Sequence, residues 1–128
     1  MSWQFSSQQP IYQQIADAIA MRILNGTYAR GERLPSVRDL AVIASVNPNT
    51  MQRALSELES MELISTQRTS GRFVTVDETV IEKARNAKAE QICETFWMQM
   101  RKLGMSHEQV LCVLNENEHK EEQDGIHS

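Results

Sequence analysis

Residues 34–61 read LPSVRDLAVIASVNPNTMQRALSELESM. Ser36 follows Leu34-Pro35 and suits an N-cap, because its hydroxyl can accept a first-turn amide. Asp39 falls in that first turn, where the helix dipole favours a carboxylate. Leu40, Ala41 and Ile43 are expected to face a core, and the helix to end near Ala44-Ser45. Ser45-Val46-Asn47 then reads as a tight turn. Asn47 caps a second helix and Pro48 takes its first position, where proline loses nothing by lacking an N–H. This helix is predicted to run to about Met61. On a wheel of about 100° per residue, Met51, Ala54, Leu55, Leu58 and Met61 share one face. Asn49, Gln52, Arg53, Ser56 and Ser60 occupy the other. The early turns of that face offer amide, guanidinium and hydroxyl groups and no carboxylate, and Glu57, Glu59 and Glu62 come later. A solvated surface is the plain alternative, but such a face can meet a polyanion with its N-terminal end first.

Upstream, a helix is predicted from Pro10 to about Asn25, with Gly26 as its stop. Ile11, Ile15, Ala18, Ile19 and Ile23 recur at helical spacing and form its expected buried stripe. Downstream, two β-prone segments, 63–67 and 72–76, flank the turn Arg68-Thr69-Ser70-Gly71. A hairpin after a helix-turn-helix is a wing, and an ordinary surface hairpin is the alternative.

From Asp77 the composition shifts to helix formers. A long helix is expected over about Thr79–Leu103, with Thr79 and Glu82 as a capping box. Gly104 ends it. Ser106 and Gln109 form another box, opening a helix over His107–His119, and the charged tail from Glu118 is expected to fray. The expected fold class is mainly α with a small β-hairpin. A winged helix-turn-helix (1–76) precedes a two-helix dimerisation region with a flexible tail (77–128).

The 128 residues carry a net charge of −4, with 41% hydrophobic and 23% charged residues. That charge averages two unlike halves. Residues 1–76 hold Arg22, Arg30, Arg33, Arg38, Arg53, Arg68 and Arg72, no lysine, and six acids. Their balance of +1 leaves −5 for the remainder. An arginine-only set suits forked donation to phosphates and guanine edges, although chance composition produces the same feature. No membrane span or secretion leader is expected. Cys93 and Cys112 have no CxxC partner and read as two buried thiols in a reducing cytoplasm. His107, His119 and His127 show no metal-ligand spacing, and no catalytic constellation is present. No metal, cofactor or enzymatic activity is expected.

The parts together imply double-stranded DNA. Asn49, Gln52 and Arg53 lie where a recognition helix reaches base edges. Arg38 is placed for a phosphate or a base. Ser36 and Thr50 can donate to phosphate oxygens, and Asn47 at the cap is counted with them. Arg68, Ser70, Gly71 and Arg72 would carry the wing into the minor groove, where Gly71 permits close approach.

These residues also resemble a family. The segment from Pro10 to Ile15, Gly26, and the run Gly31 to Ala41 are similar to the GntR regulators. So are Val46-Asn47-Pro48-Asn49-Thr50, Ala54, Leu58-Glu59, Leu63-Ile64 and Ser70-Gly71-Arg72-Phe73-Val74. The resemblance implies a winged DNA-binding domain with Arg38, Asn49, Thr50, Arg53, Ser70 and Gly71 as DNA contacts. Pro48 and Gln52 stand where other branches carry arginines, which bears on base preference and not on binding mode. About 50 residues after Val76 are too few for the larger effector domains and resemble the YtrA subfamily, whose short helices dimerise. Repression, often of ABC-type transporter genes, is what that likeness implies.

The second half of the long helix carries Ile92, Phe96, Trp97, Met100 and Leu103, and the last helix Val110, Leu111 and Leu114. Two helices cannot bury this set between themselves, so a second copy of the chain is the expected partner. Folding back onto the winged part is the alternative. A winged helix docking another protein without DNA is the rival function, and any small-molecule effector stays open.

Overall fold

The computed structural model describes residues 3–124, with side chains from 3 to 120. Helix α1 spans Ile11–Leu24, α2 Val37–Ala44 and α3 Pro48–Ser60. Strands β1 (Ile64–Gln67) and β2 (Gly71–Val74) follow, then α4 (Glu78–Lys102) and α5 (His107–Asp124). The fold is mainly helical, with a two-stranded antiparallel hairpin. The chain forms two compact units, one up to Asn86 and one from Ala87. Their division lies inside α4, because Ile81 is buried in the first unit's core, with Val80 and Ala84 packed against it.

In the first unit, Ile15, Ile19, Leu40, Met51, Leu55, Leu58 and Leu63 are completely buried. Each such side chain contributes about 1.5–3 kcal/mol. The α1 stripe is wider than expected and rotated. Ala16, Ala20 and Leu24 join Ile15, Ile19 and Ile23, which leaves Ile11 exposed at the rim and Ala18 half-buried. In α2 the buried residues are Leu40, Ala41 and Ala44. Ile43 lies on the flank of that short face and is 49% exposed, contrary to expectation. Met61 is likewise exposed, because the chain turns at the end of α3 and Leu63 fills the core instead.

The helix-turn-helix follows from its caps. Ser36 Oγ accepts the Asp39 N–H at 3.1 Å, and Asn47 Oδ1 accepts the Asn49 N–H at 2.7 Å. Between them Ser45 takes a left-handed conformation (φ 58°), which turns the chain sharply enough to lay α3 beside α2. Asn47→Ala is expected to lower stability by about 1 kcal/mol and the melting temperature by a few degrees, read by thermal circular dichroism. An unchanged melting temperature would show that the cap is dispensable.

The hairpin pairs Ile64 with Val74, Ser65 with Phe73, Thr66 with Arg72 and Gln67 with Gly71. A third segment joins it. Leu34 N–H donates to the Arg72 carbonyl at 2.8 Å and Val74 N–H to the Glu32 carbonyl at 2.9 Å, with Arg33 bridged to Phe73. This ties the wing to the loop before α2. Pro10 is the N-cap of α1 rather than its first residue. The Arg85 guanidinium donates to the Leu24 carbonyl at 2.8 and 3.2 Å, capping the other end of α1.

The cap of α4 is Asp77, whose Oδ1 accepts the Thr79 N–H at 2.9 Å, and not the expected Thr79 box. The second box is present: Ser106 N–H donates to Gln109 Oε1 (2.8 Å) and Gln109 N–H to Ser106 Oγ (3.2 Å). Helix α5 continues past His119 to Asp124, because Glu, Lys and Gln are strong helix formers. His127 and the tail beyond Asp124 lie outside the described residues. Cys93 and Cys112 are exposed, not buried, since two helices cover only a strip of each other. Among the described residues no helix is long and apolar enough to cross a membrane.

Candidate nucleic-acid interface

Both helix starts of the helix-turn-helix use a side-chain oxygen to satisfy the first free amides, so each start is preorganised. Ser36 keeps its hydroxyl hydrogen, and Asn47 its amide hydrogens, for an outside acceptor. Arg38 is exposed one residue into α2. On α3, Asn49, Gln52 and Arg53 are exposed and Thr50 is half-buried. The buried face of Met51, Ala54, Leu55 and Leu58 locks this helix against the core and thereby fixes which side chains point out.

The wing presents Arg68 and Ser70 exposed at its tip and Gly71 and Arg72 half-buried at its base. Gly71 has φ +105°, a conformation that side chains rarely adopt, and a Cβ there would stand 3.1 Å from Arg33 Nε. Glycine therefore serves two needs, the turn and the close passage of Arg33. Among the described residues the buried Arg72 Nε has no hydrogen-bond partner, so only the outer part of that guanidinium is free to reach outward.

The arginines sort into two groups by partner. Arg22 donates to the Ala18 carbonyl at 2.9 Å and lies over the Trp3 ring. Arg30 pairs with Glu78 at 3.6 Å. Arg33, Arg38, Arg53 and Arg68 have no carboxylate partner among the described residues. These four lie on the loop before α2, on α2, on α3 and on the wing. Four guanidiniums without a carboxylate partner thus lie on consecutive elements of a chain whose net charge is −4.

Sequence reasoning left two neighbours of this surface unassigned. Arg33 was only one of the basic residues until the non-local pairing with Phe73 placed it against the wing. Tyr12 was only part of a motif, yet its ring lies under the Arg53 guanidinium. A cleft of about 360 Å³ beside the α2 start is lined by Tyr28, Glu32, Arg33, Leu34, Pro35, Ser36 and Asp39. Among the described residues no His, Cys, Asp and Glu cluster could hold a metal ion.

In the second unit Trp97 stacks on His107 with centroids 4.6 Å apart, and Phe96 meets Trp97 edge-on at 5.8 Å. Phe96, Trp97 and Met100 are half-buried. Ile92, Leu103, Leu111 and Leu114 are exposed. Val110 is completely buried within the single chain, so it offers no surface of its own to a partner.

Comparison with known proteins bears on what this surface meets. Residues 11–74, from the start of α1 to the end of β2, match the family model described as bacterial regulatory proteins, gntR family. The HTH-type transcriptional regulator YhcF of Bacillus subtilis is 38% identical over 111 residues, covering 87% of this chain and 92% of that protein. The HTH-type transcriptional repressor YtrA of the same organism is 38% identical over 88 residues, 67% of this chain and 68% of that one. A solved GntR family transcriptional regulator from Listeria monocytogenes is 42% identical with a TM-score of 0.81, and the match covers 88% of this chain and 98% of that one. These relatives are transcriptional regulators and not enzymes. With its winged helix-turn-helix and a family match over residues 11–74, the chain belongs to the GntR family of bacterial regulatory proteins and is an HTH-type transcriptional regulator.

Proposed function

We propose that the protein is a cytoplasmic repressor that binds a pseudo-palindromic operator as a homodimer. In this reading residues 1–76 hold the DNA and residues 77–128 join the two copies. The observation that carries it is the set of unpaired arginines on α2, α3 and the wing, around a helix face that starts without a carboxylate. Asn49, Gln52 and Arg53 read base edges. Ser36, Arg38, Asn47 and Thr50 hold phosphates, and Arg68, Ser70, Gly71 and Arg72 bring the wing to the minor groove. Ile92, Phe96, Trp97, Met100, Leu103, Leu111 and Leu114 form the contact between copies. Repression is supported by likeness to a protein named as a repressor. Genes for ABC-type transporters are the targets the YtrA likeness suggests.

The test is binding of the purified protein to a labelled fragment from upstream of its own gene, and to a pool of random sequence, across salt concentrations. A shift with dimer stoichiometry is expected, with log K falling on log salt by about 0.9 per phosphate neutralised. No binding to either DNA would turn the reading to a winged helix that docks a protein.

A further inference from the structure

Of Asn49, Gln52 and Arg53, only Arg53 has its side chain engaged within the described residues. Its Cζ sits 3.9 Å from the centroid of the Tyr12 ring. Tyr12 is the second residue of α1. Its ring is half-buried and packs against the core of Ile15, Leu55 and their neighbours, so the platform is held in place. The start of α1 is held as well. Gln14 accepts the Ser6 N–H at 2.7 Å and donates to the Ser6 and Gln9 carbonyls at 2.8 Å, strapping the preceding segment to the helix.

A guanidinium uses its flat face against a ring, while its N–H donors lie in its own plane. No acceptor among the described residues takes an Arg53 N–H. The side chain is therefore restrained by a contact that consumes none of its donors. A free arginine loses much rotamer freedom when it forms a bidentate bond, and a restrained one loses less. We propose that Tyr12 is a positioning residue for base reading, holding the Arg53 fork at the angle that meets a base edge. This rests on the assignment of α3 as the reading helix. It adds a specificity determinant from a helix that does not enter the groove.

The experiment uses the full chain and a duplex selected by the wild-type protein from a random pool, with a panel of single-base variants of that site. Arg53→Ala, Tyr12→Phe, Tyr12→Leu, Tyr12→Met and the double variant Tyr12→Leu with Arg53→Ala are compared. Tyr12→Phe keeps the ring and is expected to bind as the wild type. Tyr12→Leu and Tyr12→Met are expected to weaken the selected site roughly fivefold. They should flatten discrimination at the same base position as Arg53→Ala, with binding to unrelated DNA unchanged. The double variant is expected to bind no worse than Arg53→Ala. A Tyr12→Leu protein that discriminates like the wild type overturns the proposal, as does a loss spread evenly over all sites or additive to that of Arg53→Ala. If neither aliphatic variant folds at the assay temperature, Tyr12 is a core residue first and the proposal falls. If Arg53→Ala itself discriminates like the wild type, Arg53 reads no base, and that assignment fails separately from the contact with Tyr12.

Discussion

Replacing Arg38 and Arg53 together by alanine is expected to reduce operator affinity by two orders of magnitude or more. Each substitution alone is expected to cost about 1–3 kcal/mol of specific binding. The two positions should fail differently. Arg53 lies on the exposed face of α3, so its loss should relax preference at one base position in each half-site. Arg38 lies at the start of α2, and in its proposed role of holding a phosphate its loss should weaken all sequences alike and reduce the salt slope by about one. Neither side chain has an acidic partner among the described residues, so stability should change by less than about 0.5 kcal/mol for Arg38→Ala and, with the ring contact to Tyr12 lost, by about 0.5–1 kcal/mol for Arg53→Ala. Titration of selected and unrelated duplexes, with thermal melts of each variant, separates these effects. Losses below a few tenths of a kcal/mol for both variants would remove the recognition surface assigned to α2 and α3.

Phe96→Asp and Trp97→Asp are each expected to convert the proposed dimer to single chains at micromolar concentration. The second unit leaves Ile92, Leu111 and Leu114 between 41% and 55% exposed and Leu103 73% exposed. The same unit carries the half-buried Phe96–Trp97 pair. Full burial of either ring contributes about 1.5–3 kcal/mol, and a two-fold contact uses each ring twice. A carboxylate in the seam adds the cost of burying a charge. The two variants differ in one respect. Trp97 also stacks on His107, so its loss removes a contact inside the unit, whereas Phe96→Asp keeps that stack. Light scattering gives the mass, and circular dichroism shows whether α4 and α5 persist. A dimer mass in both variants would sink the assigned interface. Single chains that keep their helices should also lose operator affinity steeply, because two half-sites are then no longer held by one molecule.

The core of the DNA-binding unit was legible wherever local chemistry decides. Ser36 and Asn47 name the two helix starts because a side-chain oxygen must take the first free amides. Pro48 fits only at a first position, and Gly71 fits a turn that requires a positive φ. These are interactions within four residues, so they can be read without knowing the fold. The polar face of α3 was legible for the same reason, since helical spacing alone separates Gln52 and Arg53 from Met51 and Leu55. The misreadings have a common origin. Ile43, Ile11 and Met61 have the right character for a core, but whether they are buried depends on where neighbouring helices stop. Cys93 and Cys112 were taken as buried from residue type, and they are exposed because their unit has only two helices.

By itself, then, the sequence determined the order of elements, both caps of the helix-turn-helix, the register-setting turn of the wing and the family. The first three follow from short-range hydrogen bonding and from apolar periodicity, and the family from the resemblance of the motifs between Pro10 and Val74. Tertiary structure alone decided that residues 32–34 extend the wing, that Arg33 lies against Gly71 and that Tyr12 carries Arg53. Those contacts join residues some forty positions apart in the chain. No local propensity encodes them, because they arise only when the buried faces of α1, α2 and α3 close on one core.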